Sequence, residues 1–174
     1  IFLKPSSAVI ADGDEIKRPP AVTSINFEPE LGVVIGRRAK DVPAQSALEH
    51  VMGYTIGNDV SERTWQKGDR TMWRAKNTDT FKPMGPWIVT GLDPDDLECT
   101  ITLSGRVVEK YKISTAIFGV RAFISRMSQY LTLYPGDVLW MGTEGATENM
   151  KDGDVIEVEI SDIGTLRNTV VWGK

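Results

Sequence analysis

Two glutamates one residue apart, Glu28 and Glu30, lie in Phe27-Glu28-Pro29-Glu30-Leu31-Gly32-Val33-Val34-Ile35-Gly36, where Phe27, Pro29, Leu31, Val33 and Ile35 are all apolar. The alternation predicts a strand with one apolar face. Side chains alternate across a strand, so both carboxylates leave the same face roughly 6 to 7 Å apart and repel by about 2 kcal/mol at an effective dielectric near 20. A positive group is expected between them. Asp59, which follows Gly57-Asn58, is placed at a strand end. Joined to the two glutamates it completes an all-carboxylate set, the donor chemistry of hard Mg²⁺, Mn²⁺ or Ca²⁺ and not of zinc. Three protein oxygens leave room for water and substrate.

Each of these residues also has an ordinary reading. Glu28 and Glu30 fit the wet face of an antiparallel strand, as Glu157 and Glu159 do in Ile156-Glu157-Val158-Glu159-Ile160, which we read as solvated surface. Pro29, Gly32 and Gly36 separate the first pair from the second, because glycine in a strand marks close approach of backbone or ligand. Asp59 alone would cap a turn. His50, the only histidine, falls off the apolar face of its predicted helix and reads as a surface residue, not a base. Lys76, Arg63 and Gln66, taken singly, are surface polar residues. Gly142-Thr143-Glu144-Gly145 follows the apolar run 138–141 and is either a plain turn or a set of amides and a hydroxyl suited to a carboxylate or enolate oxygen.

The elements that must position these groups are mostly short strands. A first helix is predicted over Val42 to Met52, with Asp41 as cap and Pro43 in the first turn, and a strand from Tyr54 to Gly57. Segment 61–80 is a long polar and aromatic loop, the kind that carries function. Strands follow at 86–90 and 98–103, with Ser104-Gly105 turning into Arg106-Val107-Val108. Val120, Phe123, Ile124, Met127 and Leu131 give a second helix stopped by Pro135-Gly136. Clean alternation at 156–160 and a closing strand at 163–171 complete a mainly β, α+β architecture.

The 174 residues, with 41% apolar and 25% charged side chains, form one domain spanning the whole chain. The absence of any long apolar run speaks against a membrane span. A net charge of −4 without a Lys or Arg cluster excludes the electrostatics of a nucleic-acid binder. The lone Cys99 allows no internal disulfide, reads as a small strand hydrophobe, and points to a reducing, cytoplasmic setting. Ile1-Phe2-Leu3 reads as the start of a strand, so an upstream segment is expected.

The ordered set Lys4-Pro5-Ser6-Ser7, Glu28-x-Glu30, Gly53-Tyr54-Thr55-Ile56-x-Asn58-Asp59-Val60-Ser61-x-Arg63, Lys76-x-x-Asp79-Thr80-Phe81, Gly85-Pro86-Trp87, Pro135-Gly136-Asp137-Val138, Gly142-Thr143 and Ile163-Gly164-Thr165-Leu166-Arg167-Asn168 resembles the fumarylacetoacetate hydrolase family nearly end to end. The resemblance implies a mixed β-roll with two main helices, Mg²⁺ or Mn²⁺ held by Glu28, Glu30 and Asp59, and a homodimer. It implies a small 2-oxo acid or dicarbonyl substrate that passes through an enolate, with the cation acting as Lewis acid.

By the same resemblance Lys76 pairs with a carbonyl or enolate oxygen, Arg63 and Gln66 line the substrate pocket, and Thr143 holds the substrate's carboxylate. The reactions implied are C–C cleavage by hydrolysis or decarboxylation, with isomerisation or tautomerisation of a hydroxydienedioate as the neighbouring alternative. The family's water-activating His-Glu pair, carried on an upstream lid, has no match here, which keeps decarboxylation beside hydrolysis. Glu144 stands where the family commonly has proline after Gly-Thr. The rival from another class is a non-enzymatic module in which the carboxylates hold structural Ca²⁺.

Overall fold

A computed structural model describes residues 1–143 and 148–173; Glu144 and Gly145, singled out above, lie outside them. Twelve strands are named in chain order among these residues: β1 (Val9–Ile10), β2 (Glu15–Arg18), β3 (Ile25–Asn26), β4 (Pro29–Ile35), β5 (Val51–Asn58), β6 (Lys82–Val89), β7 (Glu98–Leu103), β8 (Arg106–Lys112), β9 (Val138–Trp140), β10 (Asn149–Met150), β11 (Val155–Ile160) and β12 (Gly164–Trp172). The helices are the single turn α1 (Arg63–Gln66) and α2 (Val120–Ser128), with short 3-10 turns between strands. The expected mainly β, α+β class holds.

Two five-stranded sheets make the body, in orders β1-β6-β5-β4-β9 and β2-β12-β11-β7-β8, with β10 and β3 as a separate pair. The sheets meet where β12 packs on β6 and β5 and β11 packs on β5. Between them lie Ile56, Phe27, Val33, Ile101, Val158 and Val170, each buried. The second sheet follows its sequence closely. In β11 the isoleucines and Val158 point inward while Glu159 is exposed, as the alternation requires. Ser104, at φ 49°, and Gly105, at φ 82°, make the tight turn between β7 and β8. Asn168 is the buried polar exception in β12, and its amide donates to Ala11 O and Asp14 O at 2.9 Å each.

β4 departs from the one-faced strand that its alternation predicts. It is a central strand between β5 and β9, and all seven of its residues are buried. Gly32 and Gly36 admit neighbouring protein, not a ligand: a Cβ on Gly32 would stand 2.7 Å from Thr55 Cγ2, and one on Gly36 2.8 Å from Met52 Cβ.

The first predicted helix is also corrected. Ala44–His50 is a 3-10 segment, and Val51 and Met52 belong to β5. The reason is tertiary, since β4 pairs Ile35 with Val51, and the His50 carbonyl accepts from Gly36 N–H at 2.7 Å and Arg37 N–H at 3.2 Å. That carbonyl faces the sheet, where the strand edge outcompetes the helix. The second helix forms as expected over Val120, Phe123, Ile124 and Met127, which are buried or packed against the core, but ends at Ser128, short of Leu131. There the Ser128 hydroxyl accepts Val42 N–H at 3.0 Å and its carbonyl accepts Asp41 N–H at 3.0 Å. Ile1-Phe2-Leu3 forms no strand, and segment 61–80 contains α1 and turns.

Candidate metal centre

The convergence of the three acids follows from one register. β4 and β5 run antiparallel with Pro29 opposite Asn58 and Glu30 opposite Gly57, so the next step outward sets Glu28 across from Asp59. Asp59 N–H donates to Glu28 O at 2.7 Å, and Glu28 N–H donates to Asn58 Oδ1 at 3.0 Å, which locks both residues at the end of the β4-β5 pair. Glu30 lies on the same face as Glu28 by strand alternation. Its partner Gly57 has no side chain, and the Trp140 ring fills that space, 2.6 Å from where a Cβ would stand.

One ligand oxygen from each of Glu28, Glu30 and Asp59 can be chosen so that all lie within 4.8 Å of one another, and all three residues are buried. At that separation each pair repels by about 3 kcal/mol at an effective dielectric near 20. The positive charge expected between them is present in fourfold measure. Lys76 pairs with Glu28 and lies 3.1 Å from Asp59 Oδ2. Lys4 lies 2.5 Å from Asp59 Oδ2 and 3.8 Å from Glu30 Oε1. Arg63 reaches Glu28 Oε1 at 2.5 Å, and Lys82 reaches Asp59 Oδ1 at 2.5 Å. Asp59 Oδ1 accepts no well-aligned hydrogen bond, so that last approach is a charge contact.

The surroundings polarise the three acids differently. Burial pushes Glu30 up to about 7 against the pull of Lys4, while Asp59 and Glu28 add to the rise and the Gly142 amide opposes it. Burial also raises Asp59, yet Lys82, Lys4 and Lys76 together outweigh it and hold the carboxylate down at about 2. Burial lowers Lys82 to about 8, with Asp59 working to keep it charged. An all-oxygen, buried, closely spaced donor set of this kind fits a hard divalent cation.

Lys76 is buried at the triad, not a surface lysine. Arg63 is half-buried, and its guanidinium donates to Gln66 Oε1 at 2.9 Å, so Gln66 orients it. Asp59 does not cap the next helix; Glu62 does, accepting Trp65 N–H at 2.5 Å. Thr143 follows Gly142 and lines a cavity of about 360 Å³ together with Tyr111, Leu31, Ile113, Phe123 and Met141. The Tyr111 hydroxyl donates to Pro29 O at 2.9 Å and also bonds the Thr143 side chain. His50 is half-buried with its Nδ1 2.9 Å from Arg38 O, and it pairs with none of the three acids. Cys99 is enclosed in β7, where burial pushes its thiol up to about 12, as befits a packing residue.

Two cations at the centre were not singled out from sequence as site residues. Lys4 belongs to the Lys4-Pro5-Ser6-Ser7 motif, and its ammonium sits over the rings of Phe2 at 4.3 Å and Trp140 at 4.8 Å. Lys82 interrupts the otherwise apolar run Phe81-Lys82-Pro83-Met84, and a lone lysine entering a strand is the signal that marks it.

The family model for fumarylacetoacetate (FAA) hydrolase, C-terminal, matches residues 1–171. The chain belongs to the fumarylacetoacetate hydrolase family. Among solved structures, this family member superposes on 5-carboxymethyl-2-hydroxymuconate delta-isomerase from Mycobacterium smegmatis with a TM-score of 0.96 and 43% identity, covering 99% of this chain and 69% of that one. It is 41% identical over 182 residues to the 2,4-didehydro-3-deoxy-L-rhamnonate hydrolase of Sphingomonas sp. (strain SKA58), covering 98% of this chain and 64% of the relative. To the mitochondrial oxaloacetate tautomerase FAHD2A of Bos taurus it is 37% identical over 183 residues, covering 98% and 58%. This fumarylacetoacetate hydrolase family chain therefore spans less than two thirds of the length of both curated relatives.

Proposed function

We propose that this chain is the catalytic region of a divalent-metal-dependent enzyme that cleaves a C–C bond in a small 2-oxo acid bearing a second carbonyl or carboxyl group, through an enolate. The observation that carries the reading is the convergence of Glu28, Glu30 and Asp59 within 4.8 Å beneath Lys76 and Arg63. A divalent ion held by these carboxylates supplies Lewis-acid stabilisation of charge at the substrate's 2-oxo oxygen.

The chain's own groups do the rest. Lys76 is assigned the stabilisation of negative charge on the substrate oxygen and delivery of a proton to the enolate carbon. Arg63, steadied by Gln66 at 2.9 Å, offers two-pronged donors to a substrate carboxylate at the mouth of the site. The Thr143 hydroxyl is assigned the distal carbonyl or carboxyl group. Mg²⁺ or Mn²⁺ is the expected ion, and a homodimer the expected assembly.

A second reading, tautomerisation or isomerisation, shares the same enolate. It is favoured by two of the relatives' names and by a centre where, among the described residues, no histidine stands ready to activate water. Decarboxylation and tautomerisation need no such water. The structural-Ca²⁺ module leaves Lys76 and Arg63, which both pair with Glu28 beside the triad, without a task.

The test is to strip the protein with EDTA and supply acylpyruvates, oxaloacetate and hydroxydienedioates in parallel, with and without Mg²⁺ or Mn²⁺. Metal-dependent loss of the enol absorbance with release of pyruvate or CO₂ supports cleavage, and loss without release supports tautomerisation. A metal-induced rise in melting temperature with no turnover of any substrate overturns both.

A further inference from the structure

Lys82 is a charge to which the proposed reaction gives no task. It is fully buried, at 0% exposure. An ammonium at such depth is tolerated only among compensating oxygens. Lys82 Nζ lies 2.5 Å from Asp59 Oδ1 and donates to Phe81 O at 2.9 Å, to Val60 O at 3.4 Å and to the Lys76 carbonyl. One ammonium thus touches the aspartate of the metal centre and the backbone of the lysine assigned to the substrate.

The two oxygens of Asp59 have different neighbours. Oδ1 faces Lys82, whereas Oδ2 faces Lys4 at 2.5 Å and Lys76 at 3.1 Å on the side of Glu28 and Glu30. The Asp59 backbone is pinned as well, through N–H to Glu28 O at 2.7 Å. Lys4 and Lys76 are shared with Glu30 and Glu28, whereas Lys82 meets Asp59 alone of the three acids, so Oδ2 is the oxygen turned toward the other carboxylates and Oδ1 the one turned away, held by charge against Lys82.

We propose that Lys82 is a positioning residue that keeps Asp59 a one-oxygen ligand and thereby biases the centre toward Mg²⁺ and Mn²⁺ over Ca²⁺. The inference rests on the metal reading above. Mg²⁺ demands six ligands in near-ideal octahedral geometry, whereas Ca²⁺ takes six to eight oxygens and readily accepts both oxygens of a carboxylate. Holding Oδ1 on an ammonium denies Ca²⁺ that extra oxygen. Lys82 also brings a positive charge close to the ion, but this repels every divalent cation alike. The ratio of affinities therefore isolates the positioning effect from the charge effect.

The experiment titrates the EDTA-stripped full chain calorimetrically with MgCl₂, MnCl₂ and CaCl₂, in the wild type and in Lys82→Met and Lys82→Gln. The expected result is a Ca²⁺-to-Mg²⁺ affinity ratio about tenfold higher in Lys82→Met than in the wild type. Lys82→Gln, whose amide is one bond shorter and cannot hold Oδ1 as the ammonium does, raises the ratio by about threefold. It carries the test alone if the methionine variant does not fold. Equal shifts for Mg²⁺ and Ca²⁺ overturn the role of Lys82 and leave the metal reading standing. A wild type that binds no divalent ion overturns the metal reading itself.

Discussion

Gly142 N–H donates to Glu30 Oε2 at 2.5 Å, joining two residues 112 positions apart in sequence. The bond ties the end of β9 to a buried carboxylate of the centre and lowers the cost of keeping that carboxylate ionised. It also sets Gly142-Thr143 beside the triad, although the Thr143 side chain itself meets Tyr111. The Glu30 end of β4 and the Gly142-Thr143 end of β9 are thus parts of one local arrangement.

Glu30→Gln keeps the shape of the side chain and removes its charge. Affinity for Mn²⁺ is expected to fall by roughly 100-fold or more, with turnover falling alongside. Calorimetric titration of the purified variant checks this, and wild-type affinity would remove Glu30 from the ligand set.

Lys76→Met separates chemistry from metal binding. The turnover number is expected to fall by about 10² to 10³, while the Mn²⁺ dissociation constant stays within about threefold. Steady-state kinetics read beside the same titration supply both values. A variant that turns over normally would return Lys76 to a purely charge-balancing place between Glu28 and Asp59.

Gly57→Ala tests the packing that shapes the centre. The added Cβ would stand 2.6 Å from the Trp140 ring, and Trp140 in turn lies under the Lys4 ammonium. Overpacking of this kind costs about 2 kcal/mol, a drop in melting temperature of about 4 to 8 °C for a domain of this size. Thermal unfolding followed by circular dichroism measures it.

Cys99 predicts an alkaline limit to stability. Its thiol is pushed up to about 12 in the folded protein, against an ordinary value near 9, because burial disfavours the thiolate. The folded state therefore binds the proton more tightly, so the contribution is complete below pH 9 and is lost as pH rises from 9 toward 12. The slope from this group is about 1.4 kcal/mol per pH unit. Denaturant unfolding between pH 8 and 11 should show this decline, and Cys99→Val should flatten its onset near pH 9. Native protein at pH 8 should also resist thiol reagents until unfolded.

Much of this architecture is legible in the sequence where local preference and tertiary placement agree. The β7-β8 hairpin declares itself through Ser104-Gly105, β11 through its alternating glutamates, and α2 through the apolar spacing of Val120, Phe123, Ile124 and Met127. The triad is legible for a related reason: alternation aligns Glu28 with Glu30, and a strand-ending Asn58-Asp59 supplies the third acid. Residues 42–52 mislead because their helical spacing is local, whereas pairing of Val51 with Ile35 is decided by a strand fifteen or more residues away. Lys82 is only half legible. A lone lysine in an apolar run is a signal, but its burial shows only once the oxygens of Asp59 and Val60 and of Lys76 are brought around it by the fold.

Glu28, Glu30 and Asp59 are proposed to cage one hard divalent ion with positions open to a 2-oxo acid. A crystal structure grown with Mn²⁺ and oxalate, with anomalous data collected at the manganese edge, tests it most directly. The expected result is one anomalous peak bonded to an oxygen from each of the three carboxylates, with oxalate chelating the same ion beside Lys76. An empty triad, or manganese bound elsewhere on the chain, would contradict it.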